Sequence, residues 1–268
     1  MFFLDAWFCV LKALQPRQHI HQDIAEINKH QSCYLQTGAS NCIHPAVIAA
    51  VASRESRAGK LLYSTHGLGD KPQRLWYHAD YNCHGDVTQL HPTGMGSAYG
   101  GMAGSHQAID QDIAEINKRK SCYVQAGAAN CIHPAVIAGL ASRESRAGKL
   151  LYSTGGWGDH HNAYGIMQCD INANPLHSIH KTCTSYHWDS CAHINAMTAH
   201  VLVPNIQGVK RKHHSWSDAQ ALQGGVAAYN FGLGNVQSWG GLDVGSTHND
   251  YSNDVIARAQ WLISHYHW

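Results

Sequence analysis

One segment of the sequence decides the fold: His133-Pro-Ala-Val-Ile-Ala-Gly-Leu-Ala-Ser-Arg-Glu-Ser-Arg-Ala-Gly148. Proline is tolerated at the first position of a helix, where its missing N–H would be unpaired in any case, and glycine commonly ends a helix. These two signals predict a helix from Pro134 to Ala147, closed by Gly148. Its apolar side chains recur at helical spacing and predict a buried stripe, formed by Val136, Ile137, Leu140 and Ala141.

The next position on this stripe carries a carboxylate. Glu144 lies seven residues after Ile137 and four after Leu140, so the helix turns it toward the buried face. Burial disfavours the charged form of a carboxyl group, which raises its pKa and lets it hold a proton near neutral pH, as a general acid must. A structural alternative stays open, in which Glu144 pairs with Arg143 or Arg146 at the helix end and has no catalytic role.

Two further carboxylates follow in a glycine-rich region. Asp159 ends the segment Gly155-Gly-Trp-Gly-Asp159, and Asp170 ends the segment Asn162-Ala-Tyr-Gly-Ile-Met-Gln-Cys-Asp170. Loops that a rigid scaffold holds in place commonly carry functional groups. Cleavage of a glycosidic bond needs a protonated acid at the leaving oxygen and a carboxylate that attacks, or activates water, on the other side of the ring. Glu144, Asp159 and Asp170 supply both and are the candidate catalytic residues.

Helical spacing dominates the second half of the chain. Ile109, Ile113 and Ile116 are separated by four and three residues, which is typical of one apolar helix face. Ser217 and Gln220 fit a capping box at the start of another helix. A final helix, from about Ser252 to Tyr266, places five apolar residues on one stripe: Val255, Ile256, Ala259, Leu262 and Ile263. We therefore predict a mainly α fold.

An internal repeat divides the chain. Asp23–Thr65 matches Asp112–Thr154, and only seven of the 43 aligned residues differ, so the copies are nearly identical. The first copy contains Glu55 but lacks any counterpart of Tyr-Gly-Ile-Met-Gln, Ala-Tyr-Asn or the final helix. We therefore predict that residues 1–80 are a partial, non-catalytic duplicate of the N-terminal half of the domain, and that residues 81–268 form one complete domain.

Composition argues against several kinds of partner. Charged residues are 14% of the 268 residues and the formal net charge is +1, so no strong field attracts nucleic acid or an anionic membrane. No apolar run approaches the roughly 18 residues of a membrane span. The 22 histidines would add positive charge as the pH falls through about 6.5. The adjacent pairs His160-His161 and His213-His214 lack the spacing of a helical zinc motif, so we predict no metal site and no cofactor, and we expect a monomer.

Cysteine content indicates an oxidising compartment. Six of the nine cysteines lie within residues 81–268, and an even set suits a secreted, disulfide-bonded domain. The apolar start of the chain is interrupted by Asp5 and Lys12 and has no basic leading region, so it makes a poor signal peptide. Cleavage between Cys9 and Cys33 would nevertheless leave an even number of cysteines, and we expect a secreted protein.

Five blocks of the sequence, in the expected order, closely resemble the goose-type lysozymes. They are Pro134-Ala-Val-Ile-Ala-Gly-Leu-Ala-Ser-Arg-Glu-Ser-Arg-Ala-Gly-Lys149, Gly156-Trp-Gly-Asp159, Tyr164-Gly-Ile-Met-Gln168, Ala228-Tyr-Asn230 and His248-Asn-Asp-Tyr-Ser-Asn-Asp-Val-Ile-Ala-Arg-Ala-Gln260. The resemblance covers residues 81–268 and implies a lysozyme-like α+β fold, mostly helical, with a small β element beside the cleft. It also implies hydrolysis, with inversion, of the β-1,4 bond between N-acetylmuramic acid and N-acetylglucosamine in bacterial peptidoglycan, and hence antibacterial lysis of cell walls.

The same resemblance assigns roles to individual residues. Glu144 corresponds to the general acid, and Asp159 and Asp170 correspond to the two aspartates that position the attacking water. Four further residues correspond to positions that line the sugar-binding cleft: Gln168, Tyr229, Asn230 and Tyr251. For the aromatic residues, and for Trp157, core packing remains an alternative.

The cysteines agree with the family only in part. Cys83 and Cys131 fall where the family has a disulfide bridge, but the positions of its second bridge are not cysteine in this chain. The pairing of the other four stays open: Cys122, Cys169, Cys183 and Cys191. The loop before Gly156 is also two residues longer than is usual for the family.

Three other functions compete with lysozyme activity. A lytic transglycosylase also uses a glutamate acid, but it forms an anhydro-sugar and needs no aspartates to position water, so Asp159 and Asp170 favour hydrolysis. A catalytically inactive module could bind peptidoglycan as a recognition protein, although the intact acid argues against this role. A histidine-rich metal-binding protein would take up zinc or copper through its paired histidines, and nothing else in the sequence supports that function.

Overall fold

The computed structural model describes residues 81–172 and 179–268, all of which belong to the unit Ala79–Trp268. The first copy of the repeat, with Glu55, lies outside the described residues. Eight α-helices lie within the described ranges: α1 (Gly101–Lys118), α2 (Lys120–Asn130), α3 (Pro134–Ser145), α4 (Ile179–Thr182), α5 (Cys191–Met197), α6 (Val203–Lys212), α7 (Asp218–Phe231) and α8 (Tyr251–Tyr266). A π-helical segment, Thr198–Leu202, joins α5 to α6. The predicted mainly α class is confirmed.

Helix α3 begins as predicted and ends two residues early. Pro134 takes its first position, and the His133 imidazole accepts a hydrogen bond from the amide of Ala135 at its N-terminus. The predicted end at Ala147 was wrong, because the chain turns left-handed at Arg146 (φ 55°). The amide of Ala147 then donates to the carbonyl of Ala141 at 2.9 Å, which closes the helix by a Schellman-type turn.

The core surrounds α3. Its buried residues include the whole predicted stripe and almost the entire helix from Pro134 to Ser142. Gly139 allows α8 to approach closely, since a Cβ there would lie 2.9 Å from the carbonyl oxygen of Val255. Because α3 is covered on nearly every side, side chains near its last turn are held in fixed positions.

The two predicted helix starts in the C-terminal part are both present. In α7 the Ser217 hydroxyl accepts from the amide of Gln220 at 3.1 Å, and the Gln220 side chain accepts from the amide of Ser217 at 2.9 Å. This is the predicted capping box. Helix α8 begins at Tyr251, one residue before the predicted start, where the buried Asp243 carboxylate accepts from the amides of Ser252 and Asn253, both at 2.9 Å.

A small antiparallel sheet follows α3. Its strands are β1 (Trp157–Gly158), β2 (Ala163–Tyr164) and β3 (Cys169–Asp170), in the order β1-β2-β3. Trp157 pairs with Tyr164, and Tyr164 pairs in turn with Cys169. The small β element implied by the resemblance is therefore present.

Three disulfides connect these elements. Cys83–Cys131 joins the start of the domain to the end of α2, Cys122–Cys191 joins α2 to α5, and Cys169–Cys183 joins β3 to the segment after α4. The structure thus pairs the four cysteines whose partners the sequence left open. Within the described ranges, no helix is both long and apolar enough to cross a membrane.

Candidate active site

Glu144 lies one residue before the end of α3 and is partly buried. Its Oε1 accepts a hydrogen bond from the hydroxyl of Tyr251, at the start of α8. Burial raises the pKa of Glu144 to about 7, and the hydrogen bond from Tyr251 and the charge of Arg143 oppose part of that rise. An ordinary glutamate loses its proton near pH 4.3, whereas this raised pKa lets Glu144 keep its proton to a much higher pH.

The two arginines beside the acid bind other carboxylates. Arg143 donates to Asp250 at 2.8 Å and to Asp254 at 2.5 Å. Arg146 donates to Asp112 at 2.9 Å. The alternative in which one of these arginines forms a structural ion pair with the glutamate is therefore not the arrangement found.

A buried ionic network fixes the end of α3 against α1 and α8. The fully buried Asp254 accepts hydrogen bonds from Ser105 at 2.7 Å, Arg143 at 2.5 Å and Arg258 at 2.9 and 2.7 Å. Arg258 also lies 3.9 Å from the buried carboxylate of Asp112. A buried charge is tolerated only when it is paired and hydrogen-bonded, so these partners restrict how the helices can shift. This network was not predicted from the sequence, although an aspartate and an arginine four residues apart on α8 are a recognisable helical pair.

The turn between β2 and β3 connects the sheet to the helix of the acid. The hydroxyl of Ser145, next to the acid, donates to the carbonyl of Ile166 at 2.8 Å. The hydroxyl of Tyr229 in α7 donates to the carbonyl of Met167 at 2.7 Å, and the amide of Ile166 donates to the carbonyl of Trp188 at 2.7 Å. These bonds fix the turn between α3, α7 and the segment before α5.

Gln168 follows this turn and lies against the first strand. Its backbone is left-handed (φ 46°), and its side-chain nitrogen donates to the carbonyl of Gly165 at 2.8 Å. A Cβ at Gly158 would lie 1.9 Å from the Oε1 of Gln168. Glycine at this point of β1 therefore makes the room that the amide occupies.

Asp159 and Asp170 belong to the same end of the small sheet. Ala163 in β2 pairs with Gly158 on one side and with Asp170 on the other, which separates the two outer backbones by two strand spacings, or roughly 10 Å. Asp159 directly follows Gly158, and its side chain is 71% exposed. Asp170 is exposed as well, so both carboxylates are open to solvent at one end of the small sheet.

The backbone around Asp159 is unusual. Asp159, His160 and His161 all have positive φ, at 43°, 53° and 69°. Three successive non-glycine residues in this region are strained, and such strain persists where the surrounding structure imposes it, often at functional sites. The turn between β1 and β2 thus presents its aspartate in a constrained direction.

The two tyrosines of the candidate site differ in exposure. Tyr251 is 2% exposed, so its ring belongs to the core and its hydroxyl reaches the acid. Tyr229 is partly buried, with its hydroxyl held by the turn between β2 and β3. Burial and the neighbouring Glu144 raise the pKa of both tyrosines well above the ordinary value. Trp157 packs at 4.9 Å on the ring of Tyr164, so part of its surface also serves packing.

Asn230 is held by the loop before α8. Its side-chain nitrogen donates to the Thr247 hydroxyl at 3.1 Å, and its side-chain oxygen accepts from the Thr247 amide at 2.9 Å. The carbonyl of Thr247 accepts in turn from Arg143 at 3.1 Å. Thr247 therefore orients the side-chain amide of Asn230 and is itself held by the arginine next to the acid, and the Asn230 amide retains one N–H for another partner.

The paired histidines do not assemble a metal site in the described part of the chain. No group of three or more histidine, cysteine or acidic side chains there is arranged to hold a metal ion. His160 is almost fully exposed, while His213 bonds the carbonyl of Val236 at 2.9 Å and stacks on Trp216. These side chains serve solvation and packing.

Hydrolysis of a glycosidic bond requires a carboxyl group that keeps its proton and a second, ionised carboxylate, and the described domain has side chains of both kinds. The family model for lysozyme g matches residues 16–91 and 84–265. The chain belongs to the lysozyme g family and is a glycoside hydrolase of the lysozyme type. Two matches to one model, the first spanning fewer residues of the chain than the second, also agree with a partial duplication.

Two of the chain's relatives carry the same family name, and a third has a different name. Chicken lysozyme g (Gallus gallus) is 41% identical over 191 residues, which is 68% of this chain and 85% of the chicken protein. Ostrich lysozyme g (Struthio camelus) is 38% identical over 191 residues, covering 68% of this chain and 88% of that protein. A "glycine, glutamate and proline-rich protein" of Lottia gigantea is 53% identical over 198 residues, and this chain spans less than half of its length (46%).

Proposed function

We propose that this enzyme hydrolyses the β-1,4 bond between N-acetylmuramic acid and N-acetylglucosamine in bacterial peptidoglycan, with inversion. The observation that carries the proposal is the partly buried Glu144, whose raised pKa, about 7, leaves a proton available at neutral pH. The contact of Oε1 with the Tyr251 hydroxyl leaves Oε2 to carry that proton to the leaving oxygen of the glycosidic bond. As the proton leaves, the same hydroxyl and the charge of Arg143 stabilise the carboxylate that forms.

Asp159 and Asp170 would act on the opposite face of the sugar ring. An inverting enzyme needs a carboxylate that activates water there, at roughly 6.5–9.5 Å from the acid so that the water fits between them. The exposed aspartates at one end of the sheet are suited to hold such a water. Hydrogen bonding to Ser145 keeps the sheet beside the helix of the acid.

Sugar binding is assigned to residues around these groups. We expect Gln168 and the open part of Tyr229 to form the floor of the cleft, and the remaining N–H of Asn230 to bond an acetamido group. Because Tyr251 is almost fully buried, its proposed contribution is to the pKa and orientation of the acid rather than to stacking with a sugar.

Paired substitutions test the working domain. Glu144→Gln removes the transferable proton while keeping the shape of the side chain, so lysis of Gram-positive cell walls should fall by at least two orders of magnitude. Glu55→Gln is the matched control in the first copy, which we propose to be catalytically silent, and it should leave lysis unchanged. Equal losses in both variants would contradict the assignment.

Product analysis tests the chemistry. Hydrolysis adds water, so the new end of each fragment should be an ordinary reducing sugar, and mass spectrometry should find no anhydro-sugar. A product population ending in anhydro-N-acetylmuramic acid would identify a lytic transglycosylase instead.

We also propose that the protein is secreted. Three disulfides in the described domain favour an oxidising compartment, and an antibacterial role requires contact with bacterial walls.

A further inference from the structure

An exposed pair of aromatic rings lies outside the site assigned above. Tyr99, at the end of the 3-10 turn Ser97–Tyr99, is 54% exposed. It stacks on the ring of His248, which is also exposed, with centroids 4.8 Å apart and planes inclined by 26°. Within the described ranges neither side chain forms a hydrogen bond, and the pair can offer a ligand its outer ring faces.

Both rings lie in segments whose backbone is hydrogen-bonded to Arg143, the residue before the acid, or to its partner Asp250. The amide of Gly96, in the turn that carries the first ring, donates to Asp250 at 2.6 Å. Asp250 also accepts from Arg143, the residue before the acid, at 2.8 Å. Arg143 donates in addition to the carbonyl of Thr247, the residue before the second ring. A single arginine and a single aspartate thus fix the ring pair relative to the acid.

The backbone under the pair is strained. His248 and Asn249 both have positive φ, at 62° and 53°, a conformation that costs energy for residues other than glycine. The Asn249 side chain accepts from the amide of Gly245 at 2.7 Å, which holds the turn in place. Local strain that the surroundings maintain commonly marks a position where a ligand is held.

We propose that Tyr99 and His248 form an additional subsite for the glycan strand, next to the position of Asn230. This inference rests on the proposed function. The outer face of a flat ring can lie against the C–H face of a pyranose, as aromatic rings pack on other apolar surfaces. A peptidoglycan strand is a polymer that continues past the reacting bond, and Asn230 is hydrogen-bonded to Thr247, the residue before His248, so the ring pair adjoins this position of the cleft.

The subsite would bind sugars remote from the reacting bond, so its effect depends on strand length. We would measure kcat and KM with purified peptidoglycan glycan strands of four and eight sugars. Tyr99→Leu should raise KM for the eight-sugar strand about fivefold, as expected for one lost aromatic contact, with kcat unchanged. It should change neither constant for the four-sugar strand. Tyr99→Phe keeps the ring and should behave as the unmodified enzyme.

Two controls separate this subsite from a general effect. Trp239→Leu removes another exposed aromatic side chain, 38% exposed and packed on Trp216, and should leave KM unchanged for both strands. His248→Ala should reproduce the length dependence of Tyr99→Leu. The subsite is overturned if a folded Tyr99→Leu enzyme, checked by thermal unfolding, shows the same KM as the unmodified enzyme at both lengths or an equal loss at both. The proposed function fails independently if Glu144→Gln retains cleavage.

Discussion

Glu144 is held between opposing influences on its pKa. Burial raises that pKa, whereas the Tyr251 hydroxyl and the positive charge of Arg143 lower it, and the net value is about 7. Without the opposing groups a buried glutamate would be too weak an acid to release its proton to the substrate, and without burial it would have no proton to release. A pKa near the working pH is the optimum for a general acid.

The pH profile of the reaction should report this balance. Since the acid must be protonated to act, kcat/KM should fall as the pH rises through about 7. Tyr251→Phe removes a hydrogen bond that lowers the pKa, so the falling limb should move to higher pH, by about one pH unit, while kcat decreases. Steady-state rates on soluble glycan strands from pH 5 to 9 measure both effects. If the falling limb of the pH profile stayed in place or moved to lower pH in Tyr251→Phe, Tyr251 would not be stabilising the Glu144 carboxylate.

A helix boundary or apolar stripe could be predicted when the residues that produce it lie close together in the sequence. The start of α3, the capping box of α7 and the apolar stripe of α8 arise from residues close together in the sequence, and all three were predicted from it. The end of α3 was misplaced because Gly148 appeared to close it. Backbone bonding had already ended the helix at Ser145, through a left-handed arginine that residue preferences do not predict.

The candidate active site also combines features that come from local sequence with contacts between residues far apart in the sequence. The position of Glu144 on a buried stripe follows from helical spacing alone. Its partner Tyr251 is 107 residues away, and the Ser145–Ile166 bond spans 21 residues. Such contacts come from the packing of helices against each other, which a single sequence does not encode in any local pattern.

The small sheet offers a test of one such contact. Gly158→Ala is compatible with the extended backbone at this position (φ −121°), but its Cβ would take the place of the Gln168 amide. We expect Gln168 to be displaced and kcat/KM to fall about tenfold, with little change in thermal stability because the side chain can move into solvent. Gly234→Ala is the control, since a Cβ there would meet nothing within 4 Å. Unchanged activity in Gly158→Ala would remove Gln168 from the site.

The ionic network that connects α1, α3 and α8 should be costly to break. Asp254→Asn would leave the buried guanidinium groups of Arg143 and Arg258 without their shared counter-charge. Removal of one member of a buried pair destabilises by about 3 kcal/mol, and a domain of this size loses roughly 6–12 °C in Tm for that amount. Lys118→Ala breaks an exposed pair with Glu115 and should leave Tm unchanged. Equal and small shifts in the two variants would show that the network carries little stability.

At the scale of the whole molecule, the histidines fall into two groups. Most of those in the described ranges lie near the surface. Burial lowers the pKa of His84 and His106, and it lowers the pKa of His133 and His193 to about 4. His133 also accepts a hydrogen bond at the start of α3, which protonation would abolish. His193 lies directly beneath Gly165, where a Cβ would come within 2.2 Å of its ring. Protonation of either residue therefore acts on an element that positions the active site.

These two residues predict a specific loss of stability in acid. In the unfolded chain each histidine binds a proton near pH 6.5, whereas in the folded domain it resists protonation until about pH 4. Stability should therefore be full above pH 6.5 and should fall as the pH decreases from 6.5 to 4, by about 2 kcal/mol between pH 7 and pH 5 for His193. Nearby Asp189 and Asp86 oppose the two shifts without removing them.

Carboxylates with lowered pKa, such as Glu115 at about 2, lose their contribution to the free energy of unfolding only below the ordinary pKa of a glutamate. The pH range in which these carboxylates act can therefore be separated from the range in which the two histidines act. His193→Gln and His133→Asn together should flatten the unfolding free energy, measured in urea, between pH 6.5 and 4.5 and leave the loss below pH 4 in place. An unaltered slope in the upper window would assign the acid sensitivity to other groups. A flattened slope would instead show that His133 and His193 are held neutral in the folded domain and that this arrangement reduces the free energy of unfolding only at acidic pH.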